Sequence, residues 1–239
     1  MAAKQEFLPK AKVGYRFPAG VAVFPKLDVP DMKFAKNGIG SYKTGVRLEG
    51  DVAAKVKADI DTLITETYEA AKKFLLESGE AKEKDGQVLL LKNGKPQKDG
   101  DGKLKQLEYA SRAYKEELDD DGAETGAIVF NTKTTESYLD KAGKVIKRKV
   151  TVVDAKRHPL TKSVWGGSKI IINADLVPFY TAIGVGASLR LNGVQVLELR
   201  SGGRDANSMF GDEEGYEDEG DAPAAAPAAE REPGSDDDL

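Results

Sequence analysis

The 239-residue chain contains no cysteine, one histidine (His158) and one tryptophan (Trp165). Without cysteine there is no disulfide framework, no thiolate zinc site and no thiol nucleophile. That fits a reducing compartment. A lone histidine leaves histidine zinc sites and Ser-His-Asp triads without partners. No apolar run approaches the roughly 18 residues of a membrane span, and MAAKQEFLPKAK at the start lacks the apolar core of a signal peptide. HExxH, GxSxG and GxGxxG are all missing. Gly38 to Val46 (GIGSYKTGV) spaces Gly40 and Gly45 as a phosphate loop would, but Val46 and Arg47 stand where Lys and Ser/Thr are required. Glu136, Asp140 and Asp154 are too scattered to predict a metal site. No enzyme activity, metal or cofactor is expected.

Charge is present in abundance and unevenly placed. Residues 203–239 hold 13 Asp/Glu against 2 Arg, whereas residues 1–202 hold 34 Lys/Arg against 27 Asp/Glu. A net charge of −4 therefore hides a basic body and an acidic tail. The tail has few large apolar residues and many Ala, Pro, Gly and acidic ones, a composition expected to be disordered. A polyanion tethered to a basic body suggests an internal competitor for an external polyanion. The bland alternative is a solubility tail.

Hydrophobic periodicity divides the body. Val13, Tyr15 and Phe17, then Val21 to Phe24, read as two strand pieces kinked at Pro18-Ala19-Gly20. Asp28 to Asn37 reads as a loop. Ser41 to Leu48 is a strand with Tyr42, Thr44, Val46 and Leu48 on one face. From Asp51 to Ser78 the apolar residues fall three or four apart, predicting one long amphipathic helix ended by Gly79. Residues 79–126 are charged and Gly-rich. They read as a mobile excursion with an Asn93-Gly94 turn and a short helix over LKQLEYASRAYKEEL. Strand patterns return at Ala127 to Thr134, Lys144 to Val153, Lys169 to Ala174 and Ala187 to Arg200, the last broken by a bulge at Asn192-Gly193. This order predicts a mainly β fold: an OB-fold-like Greek-key barrel over residues 1–202, carrying the helix, with a β-sandwich as the alternative.

Basic and aromatic residues concentrate late in the body. Lys133, Lys147, Lys149, Lys169 and Arg190 are candidate phosphate contacts, and Trp165, Phe179 and Tyr180 candidate stacking platforms. Cations tracking phosphates, with rings under bases, is how single strands are held without reading sequence. Two other readings stand beside it. One is an adaptor or chaperone-like protein whose acidic tail binds basic proteins. The other is a nuclease using the scattered carboxylates.

The run Gly166-Gly167-Ser168-Lys169, a strand, Leu176-Val177-Pro178-Phe179, then Val185-Gly186-Ala187-Ser188 and a Gly-rich exit to an acidic tail carries a resemblance. It is similar to the single-stranded DNA-binding protein of T-odd-type short-tailed lytic bacteriophages. Supporting segments are Val21 to Asp28, Tyr42 to Leu48 with the helix after it, and Val150 to Ala155. The resemblance implies an OB-fold homodimer in the cytoplasm of an infected bacterium. It would coat single-stranded DNA in replication and recombination and promote annealing. The family's acidic tail occupies the DNA groove and recruits the phage DNA polymerase and helicase-primase. That tail commonly ends in an aromatic residue. Here it ends Asp236-Asp237-Asp238-Leu239, and Phe210 and Tyr216 are its only rings.

Overall fold

The computed structural model describes residues 6–36, 38–140 and 142–200. In chain order the elements are β1 (Lys12–Arg16), β2 (Gly20–Lys36), β3 (Ile39–Glu49), α1 (Gly50–Glu77), β4 (Ala81–Lys84), β5 (Gln87–Lys92), β6 (Lys95–Pro96), β7 (Tyr114–Leu118), β8 (Glu124–Thr135), β9 (Ser137–Leu139), β10 (Val145–Lys147), β11 (Thr151–Val153), β12 (Lys169–Thr181) and β13 (Gly184–Glu198). The tail from 203 to 239, with Asp236, Asp237, Asp238 and Leu239, lies outside the described residues.

β2, β3, β8, β13 and β12 are hydrogen-bonded in that order, and β12 returns to β2 through Lys169–Val21 and Ile170–Gly20. β1 continues the closing edge, with Tyr15 opposite Ala174. Only the β8–β13 pair within this ring is parallel. Five strands closed in this order, with one parallel pair, make the Greek-key barrel of an OB fold. The kink at Pro18-Ala19 splits the first barrel strand in two because proline has no N–H for the ladder.

Period-two alternation fills the barrel. Tyr42, Thr44, Val46 and Leu48 of β3, Ile128, Phe130, Thr132 and Thr134 of β8, and Ile170, Ile172, Ala174 and Leu176 of β12 are all buried. Val194 and Val196 resume the inward face of β13 after the register shift at Asn192, the predicted bulge. Along α1 the buried stripe is Ala53, Val56, Ile60, Leu63, Ile64, Thr67, Ala71 and Leu75. Residues to Ile64 join the barrel core. Two phenols tie the helix down: Tyr15 donates to Asp59 at 2.8 Å and Tyr114 to Asp61 at 2.6 Å. Burial, reinforced by the neighbouring carboxylate, pushes both phenols well above their ordinary value.

Three sequence expectations are corrected. Asp28 to Asn37, expected as a loop, is the second half of β2 up to Lys36; irregular pairing with β3 blurs its alternation. Lys144 to Val153 is not one strand. β10 pairs with β9, while β11 pairs in parallel with β13. The helix expected over LKQLEYASRAYKEEL is absent; its end forms β7 instead, paired along β8 with Tyr114 opposite Phe130. An open strand edge and a buried tyrosine outweigh a weak helical pattern there.

The excursion at 79–126 has its own core. Ala71 and Leu75 of α1 pack with Ala81, Val88, Leu107 and Val185, flanked by Phe7, Tyr68, Phe74 and Tyr180. The β4–β5 and β5–β6 hairpins turn at Asp85-Gly86 and Asn93-Gly94, both residues of each pair having positive φ, as a two-residue type I′ turn requires. Main-chain bonds between Glu108, Ala110 and Val185 stitch the excursion to the start of β13.

Candidate nucleic-acid interface

The outward residues of the barrel strands alternate with its core. On β3 these are Lys43, Gly45 and Arg47; on β8, Val129, Asn131 and Lys133; on β13, Ser188 and Arg190. Register brings the cations into one row. Lys26 is opposite Lys43, Lys43 is opposite Lys133, and Lys133 is opposite Arg190. Three inter-strand gaps of about 4.8 Å give the row a span of about 14 Å. Beyond Arg190 the same row reaches Asp175 on β12.

Asp175 is only 5% exposed, yet it is fully partnered. The Gly14 amide donates to Oδ1 at 2.9 Å, Asn192 Nδ2 donates to Oδ1 at 2.6 Å and Arg190 Nη2 donates to Oδ2 at 2.9 Å. Burial pushes its carboxyl up, but these donors together hold it below the ordinary carboxylate range. The ionised Asp175 therefore fixes the guanidinium of Arg190 on the outer face. Lys43 pairs with Asp31, whose carboxyl is lowered chiefly by that contact. Among the described residues Lys133 has no carboxylate partner. Arg47 is taken up by Glu49 and by Glu117 of β7, 2.6 Å from Nη2.

One rung from the row, Val23, Gly45 and Asn131 face outward in register. They lie beside two open grooves. One, about 370 Å³, runs between Val23–Phe24 and Lys115–Leu118 over Val129 and Asn131. The other, about 410 Å³, runs between Phe24–Lys26 and Val164–Gly166. Gly45 keeps the floor low: a Cβ there would come within 3.0 Å of Val129 and 3.2 Å of Val23.

The residues expected from sequence separate on this surface. Lys133 and Arg190 share the row. Trp165, 50% exposed, walls the second groove. Phe179 sits on the outward face of β12, four residues along from Asp175, its half-buried ring against Gly186. Tyr180 points the other way and packs in the second core beside Phe7. Lys147 and Lys149 are exposed at and just past β10, whose hairpin with β9 follows the Lys133 end of β8. Lys169, at the start of β12, pairs with Glu198 at 3.1 Å. Glu136, Asp140 and Asp154 do not converge. Glu136 accepts from the Gly40 amide, Asp140 from Ala142 and Lys144, and Asp154 from Lys156 and His158. Asp140 and Asp154 each organise their own turn, and Glu136 bridges to β3 at the end of β8.

Sequence reasoning missed Lys26, Lys43, Asp175 and Phe24. The first three need the register, which no local pattern gives. Phe24 was legible in part, because Pro25 after it cannot donate to a ladder and so marks a bulge.

No family model matches the chain. Over 121 residues it is 33% identical to the single-stranded DNA-binding protein of Escherichia phage T7, an alignment covering 48% of this chain and 52% of that protein. The chain thus spans about half the length of the curated relative it matches. The crystal structure of gp2.5, a single-stranded DNA-binding protein encoded by bacteriophage T7, superposes with a TM-score of 0.57 at 21% identity, over 87% of this chain and 97% of that one. The shared fold rests on that structure. The single-stranded DNA-binding protein from bacteriophage Enc34 aligns over 80% of this chain and 84% of its own, with 15% identity and a TM-score of 0.45.

Proposed function

We propose that this chain is a sequence-independent single-stranded DNA-binding protein of a short-tailed lytic phage. The observation that carries the reading is the cation row. It crosses β3 and β8, the second and third barrel strands, and OB folds bind oligonucleotides on that face. Lys26, Lys43, Lys133 and Arg190 follow the phosphates and release counterions; Lys147, Lys149 and Lys169 extend the positive field. Trp165 and Phe179 present ring faces near the path. Tyr180 acts through packing. The likeness to the phage T7 protein supports the same reading over half of the chain. Binding needs no chemistry, so the protein works as a coat rather than an enzyme.

The finer parts of the proposal rest on the resemblance and on charge. The protein coats single strands during replication and recombination and promotes annealing, as a homodimer in the host cytoplasm. Its acidic tail, 13 carboxylates against 2 arginines, competes with DNA for the cationic face and, once displaced, recruits the phage DNA polymerase and helicase-primase through Asp236, Asp237, Asp238 and Leu239. Truncation after Gly203 tests this. Binding to labelled poly-dT is measured against salt for both chains, and the log–log slope is about −0.7 per phosphate neutralised. Truncation is expected to tighten binding to single strands. Unchanged or weaker binding overturns the competition, and loss of basic protein partners instead would favour an adaptor whose tail is the binding element.

A further inference from the structure

Phe24 is the most exposed large apolar side chain among the described residues, at 85%. Its backbone also sits at φ 46°, the left-handed region that a bulky side chain rarely adopts. Strain and exposure at one residue are both unfavourable, and such combinations gather at functional positions. The strain has a local origin. The ladder between β2 and β3 slips between Val23 and Lys26, and the slip swings Phe24 out of the strand.

The ring has a specific place on the surface. Phe24 lines both grooves, so it stands between them. Trp165 is on the far wall of the second. Lys26 follows Phe24 by two residues and begins the cation row. The pattern is an exposed ring between two troughs of mostly apolar surface, alongside a line of cations; the two carboxylates in the wall of the first, Glu116 and Glu117, are paired with Lys57 and Arg47. A strand of nucleic acid is the occupant this combination fits, since its charge complements the row and its bases are flat and apolar on their faces.

Resting on the DNA-binding reading above, we infer that Phe24 is a wedge between two consecutive bases of the bound strand, dividing the path into one compartment over Val129–Asn131 and a second closed by Trp165. Each side of the ring stacks on one base. Trp165 stacks on the outer side of the base in the second compartment. The bulge exists to raise this ring.

The test compares oligo-dT with an abasic strand of equal length and charge, using the full chain, Phe24→Ala and Phe24→Tyr. The sole tryptophan, Trp165, reports occupancy of the second compartment by its fluorescence. Wild type is expected to prefer dT, and only dT to quench Trp165. Phe24→Ala is expected to lose about ten-fold or more on dT with little change on the abasic strand, and Phe24→Tyr to restore dT binding. If Phe24→Ala binds both strands as wild type does, the wedge is wrong while DNA binding stands. Equal loss on both strands, with a lower melting temperature, also overturns the wedge, assigning Phe24 to structure. If wild type binds neither strand, the DNA-binding reading falls and the wedge with it.

Discussion

Changing Lys26, Lys43, Lys133 and Arg190 together to glutamine is expected to lower affinity for single-stranded DNA about 10²–10³-fold at 0.1 M monovalent salt. Each cation that neutralises a phosphate of a single strand contributes about 0.7 to the log–log salt slope. Four lost contacts should therefore reduce its magnitude by about 2.8. Glutamine keeps much of the side-chain length and an N–H donor. Asp31 and the buried Asp175 thus retain hydrogen-bonding partners where lysine or arginine stood. The row depends on register rather than on local sequence, so a matched control is available. Glutamine at Lys82, Lys84, Lys95 and Lys98, exposed on the excursion, removes the same charge away from the row and should leave the slope where it was. Fluorescence anisotropy across a salt series, with thermal unfolding of each variant, measures both.

The largest stability effect is expected at Phe130. Its side chain is fully buried, between Phe17 and Tyr114, with ring centroids 5.8 Å away on each side. Phe130→Ala removes the ring and leaves a cavity the closed barrel cannot collapse, costing about 3–5 kcal/mol. For a body of this size, about 2–4 °C of melting temperature accompanies each kcal/mol, so a fall of about 6–20 °C is expected. Tyr114 loses packing on one face as well, and with it firmness in the Asp61 bond that ties α1 to the barrel. By contrast, Lys133→Ala, three residues along and facing outward, should stay within about 0.5 kcal/mol of wild type. Scanning calorimetry separates the two. The same strand thus carries a buried ring that the fold needs and an outward cation that it does not, on opposite faces.

Elements with a clear period were legible in the sequence. The helix stripe from Val56 to Leu75, the inward residues of β3 and β8, the kink at Pro18-Ala19, the turn at Asn93-Gly94 and the break at Asn192 all follow from local pattern, although Val52, which shares the helical spacing, is exposed and Ala53 is buried in its stead. The second half of β2 was not legible, because irregular pairing puts its side chains out of strict alternation. Nor was the excursion: its core is made with the far end of α1 and with Val185, contacts distant in sequence. The site divided along the same line. Residue type pointed to Lys133, Arg190 and Trp165. Only cross-strand register joins Lys26 and Lys43 to Lys133 and Arg190, and only the strand's alternation separates Phe179 from Tyr180.

On the proposed reading a single strand of DNA lies across the outer face of β3, β8 and β13. Photo-crosslinking tests it most directly. Full-length protein is irradiated with an oligonucleotide carrying iodouridine at successive positions, and the modified peptides are mapped. Adducts are predicted on Phe24 and Trp165 and on peptides spanning the Lys43, Lys133 and Arg190 row. Adducts confined to the solvent side of α1 or to the β4–β6 hairpins would place the strand elsewhere and overturn this path.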